Sequence, residues 1–328
     1  MENAFLLIVL AGAVLAGSAL AARLRVPAPL LLIAAGVAAS YVPGVPEVQL
    51  APELVLLGLL PPLLYATAMQ SSLVDFAQNR RSILLLSIGL VIFTTLGVGV
   101  VVHALLPGLP WPAAFAIGAV VAPPDAVAAT AVARRIGLPR RIVTILEGES
   151  LLNDATALVA LRTAIAAIGA GVTALEVAGG FVLAAGGGVL VGFATFVVVA
   201  WLRRRITDPV FDTAVSFLVP FVAYLAAEQL HASGVLAVVV AGLLLGHKAP
   251  LIQTAKSRIT ERTNWRTIAF VLENAVFLLI GLQAQWIITD VARSDVPLVL
   301  VVGVCLATLA AVIVLRLAWV FPARYLLV

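Results

Sequence analysis

Eleven apolar stretches run through the chain, joined by short segments that hold most of its charges. They lie at about 4–22, 28–42, 53–70, 82–106, 111–133, 142–169, 175–202, 210–228, 233–247, 266–289 and 297–322. A helix needs about 20 apolar residues to cross a hydrocarbon core; the second and ninth stretches are near the lower limit. Lipid offers the backbone no hydrogen-bond partners, so spanning stretches of this length are confined to helices. Charged residues make up only 11% of the 328, against about 25% in an ordinary soluble domain. Too few remain to cover a water-exposed globule, which sets aside a soluble enzyme or a nucleic-acid binder. The expected fold class is an all-α polytopic membrane protein with about eleven transmembrane helices and membrane lipid as its solvent. Residues 4–22 read as the first span, being too long and too uniformly apolar for a cleaved leader.

The basic residues give this pattern a direction. Odd-numbered loops hold Arg23 and Arg25, then Arg80 and Arg81, then Arg134, Arg135, Arg140 and Arg141, then Arg203, Arg204 and Arg205, and finally Lys248, Lys256, Arg258, Arg262 and Arg266. Even-numbered loops hold only Arg293. Basic loops stay in the cytoplasm, which places the N-terminus outside and predicts a multi-pass protein of the plasma membrane. Residues 248–265 read as the longest loop. His103, His231 and His247, with Trp111, Trp201, Trp286 and Trp319, fall near span ends, where interfacial residues collect. Cys305 reads as a small buried hydrophobe; as the sole cysteine it can form no internal disulfide. Gly186-Gly187-Gly188 sits within a span and permits close helix packing.

Ionisable residues at membrane depth are functional candidates, because a charge there is expensive. Asp154 lies 13 residues beyond Arg141, about 20 Å from the cytoplasmic basic cluster and near the midplane. It belongs to Glu147-Gly148-Glu149-Ser150-Leu151-Leu152-Asn153-Asp154. Ser150 and Asp154 share one helix face and Glu149 and Asn153 the next. Several oxygens at one depth suit a hard cation. Asp125, about 14 Å in, follows Pro123-Pro124. Two prolines remove two amide donors and break the helix, and freed carbonyls of broken helices are ion sites in transporters. Glu149 and Arg316 lie at one depth, about 12 Å in, and read as a buried structural pair, with Glu273 as a rival partner for Arg316.

At these residues the sequence resembles the monovalent cation:proton antiporters of the NhaP/NHE type (CPA1). The resemblance rests on Ala122-Pro123-Pro124-Asp125-Ala126-Val127-Ala128 and on Leu146-Glu147-Gly148-Glu149-Ser150-Leu151-Leu152-Asn153-Asp154-Ala155-Thr156. Leu60-Pro61-Pro62-Leu63-Leu64 and Phe277-Leu278-Leu279-Ile280-Gly281-Leu282 agree with it. It implies a homodimer with scaffold helices at about 1–70 and 210–289, core helices at about 82–169 and 297–328, and a linking helix at about 175–202. It implies that Asp154 takes either Na+ or a proton, with Ser150 and the Pro124 carbonyl completing the cation's ligands. Asp125 matches the acidic residue at the helix break. Asn153 matches the electroneutral branch, and Glu149–Arg316 matches an ion pair of the core. Pro124 stands where relatives often have Thr, and Ala66 where they often have an acid. The family continues into a second broken helix and a last helix, so the resemblance implies a chain two helices short of the complete membrane domain.

The expected activity is exchange of sodium (or lithium) for protons, 1:1 and electroneutral, by alternating access, for pH homeostasis. No cofactor, enzymatic activity or nucleic-acid partner is expected. A potassium/proton antiporter is the alternative within transport. An ion channel fits less well, because competition at one carboxylate suits exchange better than conduction. An intramembrane protease lacks its motifs: Ser150 is not in Gly-x-Ser-x-Gly, and no mid-span His could serve it.

Overall fold

The computed structural model of the chain describes residues 2–43, 45, 51–124, 136–169, 174–293 and 296–326. Among these residues every regular element is a helix. They are α1 (Glu2–Leu24), α2 (Ala28–Ser40), α3 (Leu54–Gln70), α4 (Leu73–Gln78), α5 (Arg80–Leu105), α6 (Trp111–Val121), α7 (Arg140–Gly169), α8 (Ala174–Arg203), α9 (Pro209–Gln229), α10 (Gly234–Ile252), α11 (Ala255–Leu282), α12 (Ala284–Arg293) and α13 (Leu298–Leu326). Seven helical stretches are long and apolar enough to cross a membrane, and four shorter apolar helices accompany them. Each of the eleven apolar stretches carries one of these helices. Both α3 and α5 contain a π-helical turn, Leu54–Leu59 and Leu85–Leu90.

The chain divides into two compact units. One comprises Met1–Leu63 and Arg262–Val301. Its core joins Val14 of α1, Leu32 of α2, and Leu278 and Leu282 of α11. Gly36 and Gly281 let α2 and α11 meet backbone to backbone: a Cβ on Gly36 would lie 2.5 Å from the Leu278 carbonyl. Without a hydrophobic drive between helices in lipid, such small-residue contacts carry the packing.

The other unit comprises Leu64–Glu261 and Val302–Val328. Val98 and Val102 of α5 and Ala114 of α6 form a core against Ala311, Val312 and Leu315 of α13. Caps set the helix starts: Asp208 accepts from the Phe211 amide at 2.7 Å, with Pro209 opening α9. Ser233 caps α10 through the Leu236 amide, and its own amide donates to the Ala184 carbonyl of α8 at 2.9 Å.

That contact gives the glycine run its role. Added Cβ atoms on Gly187 and Gly188 would lie 2.8 Å from Ala232 and 2.6 Å from the Ser233 carbonyl, whereas one on Gly186 meets nothing within 4 Å. Gly188→Ala should therefore lower the melting temperature of the detergent-solubilised protein, since the Ser233 backbone cannot give way. Gly186→Ala should leave it unchanged or raise stability by up to about 1 kcal/mol through helix propensity.

Two sequence expectations are corrected. Residues 248–265 are not a loop: α10 runs on through Pro250 to Ile252, and α11 starts at Ala255, capped by Thr254 through the Ser257 amide at 3.1 Å. Hydropathy registers the charges there, not the helical spacing that buries Ser257, Glu261 and Trp265 on one face. Cys305 is exposed on α13, not buried. The ring of Trp319 fills the space left by Gly89 and packs on Phe93 at 5.0 Å.

Candidate functional site

The residues selected from the sequence are gathered on α7. Glu149 is 2% exposed and Asn153 fully buried, while Ser150 and Asp154 are partly buried. Glu149 Oε1 accepts from Arg316 Nη2 of α13 at 2.9 Å. Its other oxygen, Oε2, is buried with no hydrogen-bond partner among the described residues, as is Asn153 Nδ2. Asn153 Oδ1 accepts from the Asp154 amide at 2.7 Å, which fixes the carboxamide beside the carboxylate.

Two helices hold α7 in place. Gly148 brings it onto α5, where an added Cβ would lie 2.6 Å from Ile83. The π-turn of α5 places Ser87 there, and its hydroxyl donates to the carbonyls of Ile83 at 2.7 Å and Glu149 at 3.1 Å. Thr94 and Thr95 of α5 are also buried. Helix α6 approaches α5 through Gly118, which lies against the Thr95 carbonyl.

Helix α6 ends at Val121. Pro123 and Pro124 have no N–H, so the carbonyls of Ala119 and Val120 lose the donors that a continuing helix would supply. The break sits beside the Asp154 stretch: Ala122 packs with Val91 of α5 and with Ala157, three residues beyond Asp154. The negative end of a helix dipole is thus brought to a helix bearing a carboxylate, a hydroxyl and a carboxamide. Such oxygens can exchange a hard cation for a proton. Asp125 lies outside the described residues.

Two ion-pair clusters, one buried and one partly exposed, escaped the sequence reading. Arg203, expected in a solvated loop, ends α8 and is 1% exposed. Its Nε donates to Asp212 Oδ1 at 2.6 Å, and its Nη2 pairs with Glu261 Oε1 at 2.9 Å. Gln253 Nε2 donates to both carboxylates at 2.7 Å. The cluster ties together the ends of α8 and α9 and the α10–α11 junction. The only advance signal was Asp212 set nine residues after Arg203 across a turn. The second cluster is Arg162 on α7, which donates to Glu228 Oε1 at 2.6 Å and to Tyr224 Oη at 2.9 Å on α9. Its signal was plain, an arginine inside an apolar stretch eight residues past Asp154. At a span end, His103 bonds the Leu109 carbonyl through Nδ1 and stacks on Trp111 at 3.9 Å, an interfacial arrangement.

The family model described as "Sodium/hydrogen exchanger, transmembrane" matches residues 8–327. The chain is 39% identical over 316 residues to an uncharacterized Na+/H+ exchanger of Mycobacterium tuberculosis, covering 96% of this chain and 58% of that protein. It is 34% identical over 307 residues to the sodium, potassium, lithium and rubidium/H+ antiporter of Bacillus subtilis, covering 90% and 45%. The structure of the sodium proton antiporter MjNhaP1 of Methanocaldococcus jannaschii superimposes with a TM-score of 0.68 at 19% identity, over 86% of this chain and 71% of that one. The chain thus shares that fold, and it spans about half the length of the curated relatives it matches.

Proposed function

The chain belongs to the sodium/hydrogen exchanger family, a family of multi-pass membrane transporters and not of enzymes, and from that premise we propose that it exchanges sodium or lithium for protons across the plasma membrane by competition at Asp154. The observation that carries this is the place of Asp154 on α7, beside fully buried Asn153 and three residues before Ala157, which packs on Ala122 just past the end of α6. A carboxylate at that depth needs either a proton or a cation. Bound sodium displaces the proton, and the proton displaces sodium. If the transporting helices move only when the carboxylate is neutralised, exchange is obligatory. Ser150 and the Pro124 carbonyl supply further cation ligands, and Asp125 adds negative charge at the break. Glu149 and Arg316 hold α7 to α13 and carry no ion.

One titrating charge per cycle makes the exchange 1:1 and electroneutral. The chain acts as a homodimer: scaffold helices at about 1–70 and 210–289 hold the pair, and core helices at about 82–169 and 297–328 rock about the midplane site. The N-terminus lies outside and the odd-numbered loops in the cytoplasm. A potassium/proton exchanger is the second reading, since the Bacillus relative is named as an antiporter of potassium as well as of sodium, lithium and rubidium.

The test uses the full-length protein in vesicles carrying a pH gradient. Sodium or lithium should collapse the gradient at a rate that does not change when the membrane potential is clamped at different values. A rate that rises or falls with the potential would overturn the 1:1 stoichiometry. Collapse by potassium alone would shift the assignment to the second reading.

A further inference from the structure

A cavity of about 470 Å³ opens between α7, the start of α8 and the α9–α10 turn. Its lining includes Leu158, Arg162, Thr163, Glu228, His231 and Ser233. Leu158 is one helical turn from Asp154 and Arg162 two turns, about 6 and 12 Å along α7. The cavity therefore reaches from the α9–α10 turn to within one turn of the carboxylate. The alternation of basic loops puts that turn on the outer side. The turn is tightly built: His231 adopts a left-handed φ of 54°, and the Ala232 amide returns to the Ala227 carbonyl at 2.9 Å. Gly234 leaves room for Tyr224 and Glu228, whose atoms would lie 2.7 and 3.0 Å from an added Cβ.

We propose that the Arg162–Glu228 ion pair, braced by Tyr224, is a latch across this cavity that closes the outer route to Asp154. The proposal rests on the exchange reading of Asp154. A cation moving along α7 from the outer side must pass Arg162, where a paired guanidinium joins α7 to α9. When the pair opens, the two helices can separate, and Glu228 presents a free carboxylate to the incoming cation. Exposure separates this pair from the Arg203–Asp212 pair. The side chains of Arg162 and Glu228 are 39% and 31% exposed, against 1% for Arg203 and Asp212. A half-exposed pair is weak enough to break and reform in each cycle, whereas a buried one holds.

The test places a cysteine at the cavity floor, Leu158→Cys, in full-length protein whose native cysteines, Cys305 included, are replaced. A membrane-impermeant maleimide is applied to vesicles from either face. With the pair intact, labelling from the outer face should be slow. Glu228→Gln should speed it about fivefold, and the charge-swapped Arg162→Glu/Glu228→Arg should restore the slow rate. The swap keeps the test decisive where a single substitution impairs folding. Equal outer-face rates in all three, or labelling from the cytoplasmic face alone, would overturn the latch. Labelling is read without transport, so it reports on the latch whether or not the exchange reading stands.

Discussion

Asp154→Asn should abolish sodium-driven proton movement, leaving the rate of protein-free vesicles. Asparagine keeps the shape and the hydrogen-bonding capacity of the side chain. It can neither ionise to hold a cation nor carry a proton across. The Asn153 carboxamide bonds the backbone amide of residue 154, a contact that the substitution keeps. The variant should elute from size exclusion like the parent. Loss of exchange with an unchanged elution profile separates a transport defect from a folding defect. Exchange that persists in this variant would mean that another group carries the proton.

The second large effect is on stability. Glu149→Gln leaves the Arg316 guanidinium without its counter-charge. Breaking a buried pair by removing one partner costs about 3–5 kcal/mol. Arg316 is 34% exposed at its side chain and Glu149 3%, so the lower end of that range is expected, about 3 kcal/mol. Arg316→Gln should cost at least as much, because it strands the carboxylate, the more deeply buried partner. Glu149→Leu/Arg316→Leu should recover most of the loss, since a buried pair replaced by apolar groups is often close to neutral. Thermal unfolding of the three variants in detergent checks this. A double variant as unstable as the single ones would show that the residues act separately.

Much of this structure could be read from the sequence because lipid narrows the choices. Long apolar runs have one solution, and the helices fall on the runs. Depth counted from the cytoplasmic flanks put both Glu149 and Glu273 level with Arg316, and only the fold pairs Arg316 with Glu149. The helix end at Val121 followed from Pro123 and Pro124, which cannot donate. What escaped were contacts set by tertiary packing. Arg203 looks like any loop arginine until α9 and α11 bring Asp212 and Glu261 to it. The basic stretch from Lys256 to Arg266 looks like a loop because hydropathy cannot distinguish an amphipathic helix from coil. The packing partner of Trp319 stays hidden until Gly89 opens a slot for its ring. Arg162 is a different kind of omission: its position in an apolar run was visible, and only its partners required the fold.

The most direct measurement of competition at Asp154 is proton release from the purified, full-length protein in weak buffer. Added sodium should release protons, approaching one per sodium bound as the pH is lowered, and Asp154→Asn should release none. Sodium binding without proton release at any pH, or release that persists in Asp154→Asn, would contradict a single carboxylate shared between the two ions.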